Sequence, residues 1–281
     1  MELRALTWNL FHGRDHPPDP ALETWRSRLL RISERGATHV QVNRDLFDVF
    51  AALIAGADWD LALLQECPPR WSGALAEACG AEAHRALTSR NSLAPLRSLL
   101  ARLNPDLVAS NEGGSNVTLI RGEIRGRREL ALTPGPVPER RTMAFTRAVP
   151  ARLGLELCVA NLHASAGPSR RGDAEREVEL AAERACEWAG RAPLLLGGDL
   201  NLRPSETGLF DRLAERFQLT GATGPESLDH LLSRGLESAA PPAPWPPERR
   251  DVPAGDRAIR LSDHAPVEAT FLAPSSPADT G

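Results

Sequence analysis

Six short stretches carry residues able to bind a metal ion or a phosphate. They are Thr7-Trp8-Asn9, Leu64-Gln65-Glu66, Asn161-Leu162-His163, Gly198-Asp199-Leu200-Asn201, Leu228-Asp229-His230 and Ser262-Asp263-His264-Ala265-Pro266. A carboxylate among them can hold a hard divalent cation, which takes oxygen ligands. A second carboxylate can act as base toward water, and a histidine can donate to a phosphate oxygen. Singly, each is weak. A lone Gln-Glu after a strand is usually a solvated strand end, and a lone strand histidine is usually a packed core residue.

The elements around them are of one kind: an apolar strand that presents its polar end. Residues 3–9 alternate with period two, and short apolar strands are expected at 60–65, 153–162, 194–197, 228–232 and 265–271. Strands at 116–121 and 123–132 are expected to form a hairpin through Arg121-Gly122, followed by a strand at 141–149. Apolar spacings of three and four predict helices at 21–35, 45–55, 71–79, 92–103 and 174–189. A further helix is expected at 205–217, capped by Ser205. The Pro-rich stretch 238–256 reads as an irregular loop, and 273–281 as a disordered tail. Interleaved helices and strands, some of them in hairpins, imply a mixed α/β domain with helices outside packed sheets. With no composition shift or internal repeat, 1–272 reads as one domain, and a monomer is expected.

Composition narrows the partners. The chain has 281 residues and a formal net charge of −4, so a polyanion would need a local basic patch. All 33 basic residues are Arg, so every basic contact to phosphate comes from a guanidinium fork. No apolar run reaches membrane-spanning length and no signal peptide is read, so a cytoplasmic enzyme without membrane insertion is expected. Cys67, Cys79, Cys158 and Cys186 lack zinc-type spacing and read as reduced packing residues.

In order along the chain, TWN, LLQE, NLH, GGDLN, LDHLL and SDHAPV resemble the signature series of the endonuclease/exonuclease/phosphatase superfamily. GDxN followed by SDHxPV is the most specific part. The resemblance runs from residue 3 to 271 and implies a four-layered α/β-sandwich (α+β), with two mainly antiparallel sheets packed face to face and helices outside. It also implies phosphodiester hydrolysis by in-line attack of water, with Mg²⁺ as cofactor and Mn²⁺ as a substitute. Glu66 then corresponds to the principal metal ligand, with Asn9 beside the metal and Asp263 opposite. Asp199 corresponds to the base, and Asn201 to a holder of the nucleophile or a phosphate oxygen. Two residues apart, they share a side if the stretch stays extended. His264 would donate to a phosphate oxygen, with Asp229 fixing its tautomer and raising its pKa. His163 would act at the phosphate or the leaving group. Some relatives use a tyrosine there, and this chain has none. Glu112 is considered as its acidic partner, and His230 reads as structural.

Substrate contacts are expected from Arg90, Asn91, Asn116, Arg170 and Arg171. Arg26, Arg28, Arg31 and Arg35 could track a nucleic-acid backbone or simply form a solvated face. The segment 11–44 reads as a specificity insert. A nuclease is the leading expectation, with nucleic acid as substrate. A phosphodiesterase or phosphatase acting on a small-molecule, inositol or lipid phosphate is the alternative, and an inactive binding protein on the same fold is a third.

Overall fold

The computed structural model of the protein describes residues 2–88, 94–133 and 141–272. Arg90, Asn91 and the tail 273–281 lie outside the described residues, as does the side chain of Glu112.

Strand alternation decides which side chains meet. In β1 (Glu2–Asn9), Leu3 and Ala5 join one apolar cluster, while Leu6 and Trp8 join another. After the two-residue pair β2 (Glu34–Arg35) and β3 (Val40–Gln41), the same division holds in β4 (Leu61–Cys67). There Leu61 and Leu63 face one way, and Ala62 and Leu64 the other. The chain continues through β5 (Glu82–Leu87), β6 (Ser115–Ile120), β7 (Gly122–Ala131), β8 (Thr142–Pro150), β9 (Leu157–His163), β10 (Leu194–Asp199) and β11 (Asp229–Arg234). It ends through β12 (Glu237–Ser238), β13 (Ala243–Pro244), β14 (Asp251–Ala254), β15 (Arg257–Arg260) and β16 (Val267–Leu272).

Two sheets result. One has the order β12-β16-β1-β4-β6-β5, with β13 also on β16; the other runs β11-β10-β9-β8-β7. Each contains one parallel pair, β1 with β4 and β9 with β10, flanked by antiparallel strands. Leu3, Leu63, Val159, Leu195, Leu231 and Phe271 fill the space between the sheets. Helices cover the outer faces. Phe50 and Ile54 of α2 (Phe47–Gly56) and Trp71 and Leu75 of α3 (Trp71–Cys79) pack on the first sheet. Ala174, Val178 and Ala181 of α6 (Arg171–Ala189) and Leu209 and Leu213 of α7 (Leu209–Phe217) pack on the second. This is the four-layered α/β-sandwich.

Four expectations change. Arg121-Gly122 is not a hairpin, because β6 pairs in the first sheet and β7 in the second. The chain crosses between layers there, and a Cβ at Gly122 would lie 2.2 Å from the Val149 carbonyl oxygen. The helix expected over 21–35 is reduced to α1 (Trp25–Leu30), capped by the Thr24 hydroxyl and stopped at Arg31 with φ 55°. Its apolar spacing finds no core, and Trp25, Leu29 and Leu30 stay exposed. The expected loop at 238–256 contains β12, β13 and β14, the last forming a hairpin with β15. Helix α4 (Ala94–Leu103) lies within its expected span, and a further helix, α5 (Pro105–Glu112), follows it. Ser205 lies in a 3-10 turn, and Gly208 precedes α7 instead.

Candidate active site

The parallel pairs bring their carboxyl ends together. In the second sheet, His163, Asp199 and Asp229 stand in one row across β9, β10 and β11. In the first, Asn9 is level with Gln65, one residue before Glu66. The side that holds Leu61, Leu63, Leu157 and Val159 along the strands turns polar at these ends, at Gln65, Asn161 and His163. Gln65 Nε2 donates to Asn161 Oδ1 at 2.8 Å, and Asn161 donates to the Val117 carbonyl at 3.1 Å. This buried bridge fixes one sheet against the other beneath Glu66 and His163.

Glu66 itself falls on the opposite parity and would point to the helical layer in a regular strand. The register of β4 against β6 shifts between Leu64 and Cys67, and Glu66 has φ 47°. Such an irregularity re-aims a side chain, here toward the second sheet. Gly198 permits close approach, because a Cβ there would lie 2.0 Å from the Leu162 carbonyl oxygen of the neighbouring strand and 3.1 Å from Gln65 Nε2 of the other sheet. Asn201 has φ 52°, so the stretch after Asp199 does not stay extended. Its amide donates to the Ala164 carbonyl at 3.1 Å, and its backbone N–H to Asp199 Oδ1 at 3.1 Å.

Asp199 is the hub. Its Oδ2 accepts from Asn9 Nδ2 at 2.9 Å and lies 3.4 Å from His163 Nε2 and 3.8 Å from His264 Nε2. His163 Nδ1 is 3.8 Å from Glu66 Oε1, so the acids flanking His163 are Glu66 and Asp199. Burial, aided by the charge of Arg141, overrides Asp199 and drives the His163 pKa down to about 3, leaving a neutral imidazole. His264 is the reverse case. Burial opposes its charge, but the hydrogen bond from Nδ1 to Asp229 Oδ2 at 2.7 Å, with the charges of Asp229, Asp199 and Asp263, holds it up to about 10.

The Asp263 loop is pinned from three directions. The Ser262 hydroxyl donates to the Asn9 carbonyl at 2.6 Å, with Ser262 at φ 60°. Trp8 Nε1 donates to the His264 carbonyl at 3.0 Å, and Arg250 reaches the carbonyls of Ser262 and His264 at 2.6 and 3.0 Å. A cavity of about 250 Å³ opens beside this loop, lined by Ser227, Asp229, Asp263 and His264 among others.

Two arrangements could take a cation. Asp199, Asp229 and His264 bring ligand atoms within 4.8 Å of one another, but Asp229 and His264 already satisfy each other at 2.7 Å. Glu66 fits better. Burial, with smaller contributions from the charges of Asp199 and Asp263, pushes its pKa up to about 7, and a bound cation would offset the cost of ionising it.

His12 was missed from sequence. Its Nε2 stands 3.3 Å from Glu66 Oε2, and burial plus the charge of Arg14 keeps its pKa down, at about 4. Gln65, Asn161, Ser262 and Arg250 were also missed as positioning residues. Of the expected substrate residues, Asn116 is wholly buried and donates to the Thr142 carbonyl at 2.7 Å. Arg170 lies 3.5 Å from Asp173, and Arg171 pairs with Glu206. His230 is structural: Nε2 meets the Leu202 carbonyl at 2.9 Å, and Nδ1 accepts from Thr223 N–H at 3.2 Å.

The family model described as Endonuclease/Exonuclease/phosphatase family matches residues 6–264. The chain belongs to this family. It is thereby a phosphoester-hydrolysing enzyme, and its acidic centre suits a family of metal-dependent hydrolases. Among solved structures, an endonuclease/exonuclease/phosphatase family protein from Bacteroides thetaiotaomicron is 16% identical, with TM-score 0.63 over 98% of this chain and 99% of that one. A mannosyl-6-phosphatase from the same organism gives 16% identity and TM-score 0.62 over 96% and 99%. The human nocturnin catalytic domain, with a bound sulfate anion, gives 15% and 0.61 over 96% and 94%. These likenesses concern the fold. No curated protein matches the chain. No helix among the described residues is long and apolar enough to cross a membrane.

Proposed function

We propose that this family member hydrolyses a phosphoester by in-line attack of water, with a divalent cation as cofactor, Mg²⁺ or in its place Mn²⁺. The observation that carries the reading is Asp199 held by Asn9 at 2.9 Å, between His163 and His264 and facing Glu66 across the sheets. Glu66, Asp263 and Asn9 would hold the cation, which neutralises the phosphate and stabilises the leaving oxygen. Asp199 takes a proton from the attacking water as the new P–O bond forms and the ester P–O bond breaks. Asn201 holds the nucleophile or a phosphate oxygen. His264, kept protonated by Asp229, donates to a non-bridging oxygen. His163, neutral, serves the phosphate or the leaving group.

Of the two substrate classes, a small phosphoester is favoured over a nucleic acid. Arg170 and Arg171 face acids, and the cavity of about 250 Å³ beside His264 has room for a small head group. The mannosyl-6-phosphatase named above shares the fold. A nuclease is the second reading, supported by the family's breadth.

The test is a panel of aryl phosphodiesters and monoesters, sugar phosphates, plasmid DNA and RNA with Mg²⁺ or Mn²⁺. Turnover of a small ester that Asp199→Ala abolishes is expected. No turnover of any substrate, or undiminished turnover by Asp199→Ala, sinks the reaction. Faster cleavage of DNA or RNA reverses the order of substrates.

A further inference from the structure

His12 lies in a backbone that needs a reason. Phe11, His12 and Gly13 have φ of 48°, 55° and 76°, three successive residues in the left-handed region. For a residue with a side chain this conformation is strained. Such strain persists where the surroundings over-determine it, which is common at functional sites. The surroundings here do so. Asn9 Oδ1 accepts from Phe11 N–H at 3.0 Å, and Gly13 N–H donates to the Leu10 carbonyl at 2.8 Å. Gly13 lies against Trp71, where a Cβ would come within 2.3 Å of the ring. Arg14 then anchors the turn to Asp106 at 3.2 Å. The result delivers the His12 imidazole to the Glu66 carboxylate.

The contact is long for a hydrogen bond, at 3.3 Å between Nε2 and Oε2. Two neighbouring ligands of an octahedral ion with bonds of about 2.1 Å stand about 3 Å apart. The separation is therefore close to the edge of a coordination octahedron. His12 Nδ1 is buried and has no hydrogen-bond partner among the described residues, so no donor there forces the ring proton onto Nε2. Gly114 closes over the pair, since a Cβ on it would lie 3.8 Å from both the His12 ring and Glu66 Cα.

We infer that His12 Nε2 is a direct ligand of the cation held by Glu66, and that this imidazole makes the site select Mn²⁺ over Mg²⁺. Imidazole nitrogen suits transition ions, whereas Mg²⁺ prefers oxygen. The inference rests on the metal-dependent reading of the same site.

The deciding measurement is electron spin-echo spectroscopy of Mn²⁺ bound to the full-length protein, beside calorimetric titration of Mn²⁺ and Mg²⁺. The wild type should show ¹⁴N coupling to the Mn²⁺ and bind Mn²⁺ roughly tenfold or more tighter than Mg²⁺. His12→Ala should lose that coupling and roughly tenfold in Mn²⁺ affinity, with Mg²⁺ affinity little changed. His12→Gln, which can keep a polar contact to Glu66, should lose the coupling too, and serves if the alanine variant does not fold. His163→Ala should retain it. No ¹⁴N coupling in the wild type, coupling that survives both His12 variants, or equal losses for the two ions overturns the inference. Mn²⁺ binding undiminished in Glu66→Gln would instead overturn the metal reading beneath it.

Discussion

The amide of Asn9 donates to Asp199 Oδ2 at 2.9 Å, joining the ends of the two sheets by one buried hydrogen bond at the centre of the site. The bond orients the carboxylate assigned as the base. Removing the base itself should cost about 10²–10⁴-fold in kcat, as general-base losses do. Asn9→Ala should cost less, roughly tenfold to a hundredfold, because Asp199 remains but turns freely. Asn9→Asp should be as poor as Asp199→Asn, because a second carboxylate would face the first. Steady-state kinetics on an aryl phosphodiester, with thermal melts to confirm folding, order the three variants. Equal activity of Asn9→Ala and wild type would remove this orienting role.

Asn9, Glu66, His163, Asp199 and Asp229 were legible because each lies at the end of an apolar strand within the ordered motif series, and strand parity explains the placement of most of them. Thr7, Asn9, Gln65, Asn161, His163, Asp199 and Asp229 continue the side of their strands that carries the inter-sheet leucines and valines. Glu66 lies on the opposite parity, and only the irregularity at φ 47° turns it inward. His12 left no periodic signal, because a left-handed turn delivers it. The crossing at Gly122 imitates a hairpin, since a strand–glycine–strand pattern does not reveal which sheet each strand joins. The helix expected at 21–35 failed where an apolar spacing of three and four met no partner surface.

The Asp229–His264 pair gives a pH signature. The folded pKa of His264 is held up at about 10, above the unfolded 6.5. The pair therefore contributes stability that is fully present below pH 6.5 and is lost as pH rises toward 10. Asp229→Asn removes the main support of the charge. The gap in Tm between wild type and variant should be widest near pH 6 and should close toward pH 10. The alkaline limb of kcat/KM should move from near 10 toward neutrality. A limb that stays in place would show that the proton on His264 is not used.

Glu66 behaves oppositely on adding metal. Its folded pKa of about 7 exceeds the unfolded 4.5, so the metal-free protein loses stability as pH rises from 4.5 to 7. In chelator, Tm should fall across that window, and Glu66→Gln should flatten the fall. A divalent cation at pH 7.5 should restore the wild type, by about 2.7 kcal/mol at a hundredfold excess over Kd. Glu66→Gln should gain little. A metal-induced rise in Tm equal in both proteins would place the ion elsewhere.

The bridge between Gln65 and Asn161 tests what holds the two halves of the site in register. Asn161 accepts from Gln65 at 2.8 Å and donates to the Val117 carbonyl, all in the buried space between the sheets. Replacing Asn161 with leucine removes the Gln65 and Val117 bonds and leaves Gln65 held by Thr7 alone, which should cost about 1–3 kcal/mol. Gln65→Leu should cost a similar amount. The double replacement removes both polar partners at once, so it should cost less than the sum of the two, with a coupling of about 0.5–3 kcal/mol. Urea denaturation of the four proteins closes the cycle. Activity should fall more than stability in each single variant, because a shift between the sheets moves Glu66 relative to His163 and Asp199. Strict additivity in the cycle, with activity unchanged, would mean that the bridge neither stabilises the sandwich nor aligns its site.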